Sequence, residues 1–255
     1  MSKELLILSN SIHTSLESLP KLFEDETEQG NFLRKFENNE FTSTYPRSSF
    51  PDFLAANIQD IIDDNFDSYS IDLLNQLVTP RRDIISMVKK SLKDWNKLEV
   101  KELIDTLSNV FTNIGRFGLF ILMKMKKTRL SVDKFLIHHS DLIEAASNVE
   151  GKCVKSQLTI CGKAFTKHVV RDTSVNFWGV CKGSNETKNK QAMDNLLKIL
   201  DNCVWINVHK LPHEVEILEI RVIEGYGVRF NYEPLRFRGF IEPQQIEGWK
   251  NKFKH

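Results

Sequence analysis

The sequence predicts an α+β protein: an all-α region over residues 1–150, then a basic α+β module over 151–255 in which helices precede a small antiparallel β-meander. Three observations carry this. Apolar residues recur at helical spacing through the first 150 positions, without a strand-like alternation. From residue 215 onward short alternating runs are separated by Gly-Tyr-Gly and Asn-Tyr-Glu-Pro-Leu, both turn-forming. The charge also changes sign. Residues 1–150 hold 18 Lys+Arg against 23 Asp+Glu, and residues 151–255 hold 17 against 11.

The helical region reads in order. Leu5, Leu8, Ile12, Leu16 and Leu19 form one stripe that stops near Pro20. "EDETEQG" reads as an exposed acidic turn before "NFLRKF", and residues 42–53, with two prolines, as a loop. Ser49 or Asp52 then caps a helix carrying Phe53, Leu54, Ile58, Ile61 and Ile62. Thr79, Pro80 and Asp83 mark the start of another. Gly115 and Gly118 are break points in the long run that follows. A further helix is expected from a Ser131 cap to a stop near Gly151, with His138 and His139 on its surface.

In the second part a helix is expected over 153–170. "DTSVNFWGVCKGSNE" reads as a loop whose Trp178 pins it to the core. Ser184 or Asn185 caps a helix over 186–201, and strands follow at about 215–223, 226–232 and 236–243.

Composition excludes several classes. With 41% hydrophobic and 27% charged residues the chain has the means to bury a core, unlike a disordered one. The longest apolar stretch, "FGLFILM", falls far short of the roughly 20 residues of a membrane span. "LLIL" near the start is too short for the apolar core of a signal peptide. Cys153, Cys161, Cys181 and Cys203 form no CxxC pair. The expectation is an intracellular, cytoplasmic chain with no membrane partner. Without phosphate-loop, dinucleotide, zinc-protease or nucleophile-elbow motifs, no cofactor and no metal are expected.

One stretch carries chemistry: "HKLPHEVEILEIRVIEGYGVRF", residues 209–230. Side chains alternate across a strand, so Glu219 and Arg221 share a face about 7 Å apart, among apolar residues. With the meander in register, Glu219, Arg221, Arg229, Arg238 and Glu242 share that face. His209 and His213 reach its rim from the preceding loop, and Tyr226 stands in the second strand. Arginine's planar fork suits phosphate, and carboxylate, imidazole and phenol supply proton transfer. The phosphate-binding candidates are therefore Arg221, Arg229 and Arg238. The catalytic candidates are Glu219 or His213 as base and His209 or Tyr226 as acid. Ordinary cross-strand Arg–Glu pairing explains the same residues without function.

Several pieces of the last third resemble an uncharacterised family of plant, fungal and other eukaryotic proteins. They are Lys167-His168, Phe177-Trp178-Gly179, Lys188-Asn189, the run from Trp205 to Phe230, "FRGFIEP" and "GWK". The resemblance implies a coherent C-terminal module and no particular reaction. The chain departs from that family in a short stretch before Gly248-Trp249 and in a histidine displaced to His255. Glu219, Arg221, Gly225, Tyr226 and Phe230 also resemble the sheet of small ribonucleases of the RelE kind. Two readings stand. In the first, the C-terminal sheet face binds RNA or another phosphate-bearing ligand and cleaves RNA without metal. In the second, the chain is a non-catalytic interaction protein whose helical region binds a protein partner.

Overall fold

The computed structural model describes residues 2–35, 44–66, 79–149, 158–171 and 176–243. It confirms the α+β class. Contacts divide the chain into two units: Met1–Arg129 with Asp133–His138, and Leu130–Val132 with His139–His255.

The first unit is helical: α1 (Lys3–Glu17), α2 (Glu26–Leu33), α3 (Phe50–Ile62), α4 (Thr79–Leu92) and α5 (Val100–Leu122). Leu8, Ile12 and Leu16 form the buried stripe of α1, which packs on α3 and α5. Ser49 caps α3 as expected, accepting from the Asp52 backbone N–H. Gly115 breaks α5 at φ +62°.

Two expectations fail here for local reasons. The acidic "turn" is the start of α2, because the Asp25 carboxylate caps it at 2.8 Å from Glu28 N and acidic residues favour a helix N-terminus. His138 is buried, stacked on Phe50 at 4.1 Å and within 2.8 Å of the Asn31 carbonyl oxygen. Arg116 lies over the rings of Phe120 and Phe135 and holds Glu28 through both its terminal nitrogens.

The second unit contains α6 (His139–Ser147), α7 (Ile160–Arg171), α8 (Asn185–Asp201) and the strands β1 (Cys203–Lys210), β2 (Glu216–Val222), β3 (Gly227–Asn231) and β4 (Arg236–Ile241). The sheet is antiparallel in the order β1-β2-β3-β4. Its apolar face carries Leu218, Ile220, Val228, Phe230, Phe237 and Phe240, all buried. Helices α6 and α7 pack against β4, and α8 against β2 and β3. Ser184 caps α8, and Trp178 is buried as expected.

Three sequence expectations are corrected. β1 is a fourth strand where a loop was expected, so His209 sits on a strand. Ser131 caps no helix. Residues 130–132 run beside β1, where Lys210 N bonds Leu130 O at 3.1 Å and Val132 N bonds Val208 O at 3.0 Å, and α6 begins only at His139. Finally, β4 carries a bulge, since Arg229 faces Gly239 while Phe230 faces Phe237. Arg238 is the extra residue. The bulge turns Phe237 and Phe240 to the same apolar face, their rings 5.4 Å apart, which strict strand alternation would not allow. The expected stop at Gly151 and the Gly248-Trp249 pair lie outside the described residues.

Candidate functional site: a buried charge network and a cationic cleft

Strand register places Asn207, Glu219, Arg229 and Gly239 in one row across the four strands. Glu219 is the hub, 1% exposed. Its Oε1 accepts from Arg221 Nε at 2.6 Å and its Oε2 from Arg229 Nε at 2.6 Å, with His209 Nε2 at 3.3 Å from Oε2. Burial alone would raise the carboxyl pKa. The His209 hydrogen bond and the charges of Arg221 and Arg229 overcome that and hold it well below the usual carboxylate range. Glu219 is therefore a permanent anion and a weak proton acceptor near neutral pH.

Arg221 is equally buried. It donates through Nη1 to the carbonyls of Gly225 and, at 3.0 Å, Glu242. Two glycines make room for it. Gly225, at φ +87°, turns the chain so that its carbonyl meets the guanidinium. At Gly227 a Cβ would stand 2.2 Å from Ile220 O and 2.9 Å from Arg221 Cγ. Tyr226 is buried too, its ring parallel to Phe177 at 4.0 Å. His213 is exposed on the short turn between β1 and β2, at φ +70°.

A second charged feature lies beside this network. A cavity of ≈ 670 Å³ opens between α7 and the edge strand β4. From α7 come Ile160, Lys163, Ala164, Lys167 and His168, the i, i+3, i+4, i+7, i+8 pattern of one helix face. Arg229, Arg238 and Phe240 come from the sheet, and Leu211 from the β1–β2 connection. Among the described residues four cations line it and no lining residue is acidic. The placement of α7 is built into the chain. Asn189 of α8 accepts from Thr159 N at 3.0 Å, Thr159 Oγ1 accepts from Gly162 N at 2.9 Å, and a Cβ on Gly162 would strike Asn189.

His168 is 8% exposed, edge-on to Trp178 and Phe240, with Nδ1 2.6 Å from Glu242 Oε1. So the structure brings Glu219, Arg221, Arg229 and His209 together, with Arg229 reaching the cleft. Arg238 reaches the cleft as well, its Nη1 bonded to Asn231 Oδ1 at 3.1 Å. His213 and Tyr226 stand apart from the Glu219 contacts. Lys163 carries no signal in the sequence reading and Lys167-His168 enters it only through the family resemblance, although the four-residue spacing of the two lysines beside His168 marks one helical face. Among the described residues no group of three His, Cys, Asp or Glu side chains is arranged to hold a metal ion, and no helix is long and apolar enough to cross a membrane.

Part of this unit is similar to known proteins. Residues 147–242 match the sequence profile of a bacterial toxin-nuclease family, described as the CdiA C-terminal tRNase toxin domain. The crystal structure of the toxic C-terminal tip of CdiA from Pseudomonas aeruginosa, in complex with an immune protein, is 32% identical. The match covers 38% of this chain and 97% of that one, with a TM-score of 0.32. Among curated proteins none matches. The likeness to a eukaryotic family of unknown activity is thereby corrected: this family is bacterial and its name carries a nuclease activity. The ribonuclease character suggested by the RelE-like residues agrees with it at the level of class.

Proposed function

We propose that the C-terminal unit binds RNA in the cleft between α7 and β4 and cleaves it, with tRNA the substrate class that the matched family's name suggests. The observation that carries this is the lining of Lys163, Lys167, Arg229 and Arg238, with no acidic residue among the described ones. Such a cavity attracts a polyanion, and its cations offer both point charges and planar forks to phosphate oxygens.

In this reading Arg229 has two roles. Nε is fixed by Glu219, which orients the guanidinium that lines the cleft. Glu219 is then the group that holds the arginine in place rather than the base. Arg221 and Tyr226 belong to the frame, Arg221 as a buried partner of Glu219 and Tyr226 stacked on Phe177. His209 braces Glu219 from β1. The interaction-protein alternative retains the helical unit as its subject, and nothing in the cleft favours it.

The test is binding of the full chain to a fluorescent single-stranded RNA over a salt series. Affinity should fall steeply with salt. The double variant Lys163→Ala, Lys167→Ala should flatten the log–log slope by roughly 1.4, about 0.7 per lost phosphate contact on a single strand. No binding at low salt would end the RNA reading.

A further inference from the structure

We infer that His168 is the proton-accepting catalytic residue of the cleft and that Glu242, just beyond β4, is its positioning residue. The inference rests on the RNA-cleavage reading above and adds to it a group that the strand-face analysis did not contain.

His168 is the one imidazole among the described residues lining the cavity, and it stands on the same face of α7 as Lys163 and Lys167. Its Nδ1 lies 2.6 Å from Glu242 Oε1. An ionised carboxylate only accepts, so Nδ1 carries the proton and the neutral ring keeps its lone pair on Nε2. That nitrogen has no hydrogen-bond partner among the described residues. The rings of Trp178 and Phe240 hold the imidazole edge-on, so it is fixed before any ligand arrives. Glu219 has the opposite arrangement: both its oxygens are engaged by cations. Of the two, only His168 combines a fixed ring, an available basic atom and a place on the cavity wall. The charged groups around it are Lys163 and Lys167 on its own helix, Arg229 and Arg238 from β3 and β4, and Glu242.

The step balances as a transesterification. Nε2 takes the proton of a ribose 2′-hydroxyl, and the freed oxygen attacks the adjacent phosphorus. An O2′–P bond forms as the P–O5′ bond breaks, giving a 2′,3′-cyclic phosphate. The departing 5′-oxygen takes a proton from solvent water. Cations lining the cleft stabilise the charge that grows on the non-bridging oxygens. After release the imidazolium returns its proton to water.

The experiment uses the full chain, total tRNA and a short RNA as cleavage substrates, and the 2′-O-methyl form of that RNA as a probe that binds but cannot react. Wild type should cleave in EDTA and leave cyclic phosphate ends. His168→Ala should cleave about 10²–10⁴-fold more slowly, the range for loss of a general base, and bind the 2′-O-methyl RNA with unchanged affinity. Added imidazole should restore part of the rate to His168→Ala, which a purely structural residue would not allow. Glu242→Gln should lower the rate less and move the acidic limb of the pH–rate profile, the limb that reports protonation of the base. If His168→Ala does not fold, His168→Gln supplies the same comparison. Wild-type cleavage rates in the variants would overturn the role of His168 and leave RNA cleavage standing. Binding without any cleavage by wild type would overturn it too, while keeping the cleft as an RNA site. Failure to bind RNA at low salt would overturn the reading beneath it and this inference together.

Discussion

The sheet and helix α7 both present clusters of positive charge, and they do so in opposite ways. On the sheet, Arg221 and Arg229 converge on one buried carboxylate. On the cleft wall, Lys163 and Lys167 of α7 and Arg238 of β4 line a cavity with no acid among its described residues. The first arrangement holds its cations on an internal anion, and the second gathers cations along a cavity wall. Arg229 belongs to both. The difference teaches that charge among apolar strand residues is a weak sign of function until one knows where its partner lies. A buried pair is costly to break even when its net contribution to folding is small.

That contrast can be broken by substitution. Glu219→Ala leaves Arg221 buried without its carboxylate, and should cost about 3–5 kcal/mol in urea unfolding. A loss below about 1 kcal/mol would mean the network is no buried hub. Gly227→Ala forces a Cβ against Ile220 O and Arg221, and should cost about 1–3 kcal/mol by strain. Acid sharpens the comparison further. Because Glu219 is held below its ordinary value of 4.5, its contribution is present at neutral pH and is lost as pH falls below that value. The stability gap between wild type and Glu219→Gln should therefore narrow by about 1.4 kcal/mol per pH unit below roughly 4.5, read as denaturant midpoints at pH 7, 4 and 3. A constant gap would show that the ionised form is not what the arginines hold. The smallest effect is expected on the other wall. Lys163→Ala with Lys167→Ala should change stability by no more than about 0.5 kcal/mol while weakening RNA binding, the reverse of the Glu219 result.

Much of this was legible in the chain. The helical stripe of α1, the Ser49 and Ser184 caps and the Gly-Tyr-Gly turn rest on local periodicity and capping, which short windows contain. The pairing of Glu219 with Arg221 followed from strand alternation. β1 was missed although "CVWINVHK" alternates, because only Asn202 separates it from α8 and no turn signal announces it. The β4 bulge was invisible, since a register shift depends on the partner strand. The cleft was missed for a deeper reason. Its walls come from positions 160–168 and 229–241, brought together only by the packing of α7 on β4. His168 and Glu242, 74 residues apart, show no relation in sequence.

The strip of chain at Leu130–Val132 has a consequence for solubility. An open sheet offers two rows of unpaired backbone groups on which a second chain could add a strand. Here one row is taken by that strip, through Lys210 N and Val132 N. The other belongs to β4, which is interrupted by its bulge, carries exposed Arg236 and Arg238, and has α7 and α6 packed against it. Neither margin is a flat apolar template, so the sheet is guarded against the edge-to-edge stacking that seeds fibrils.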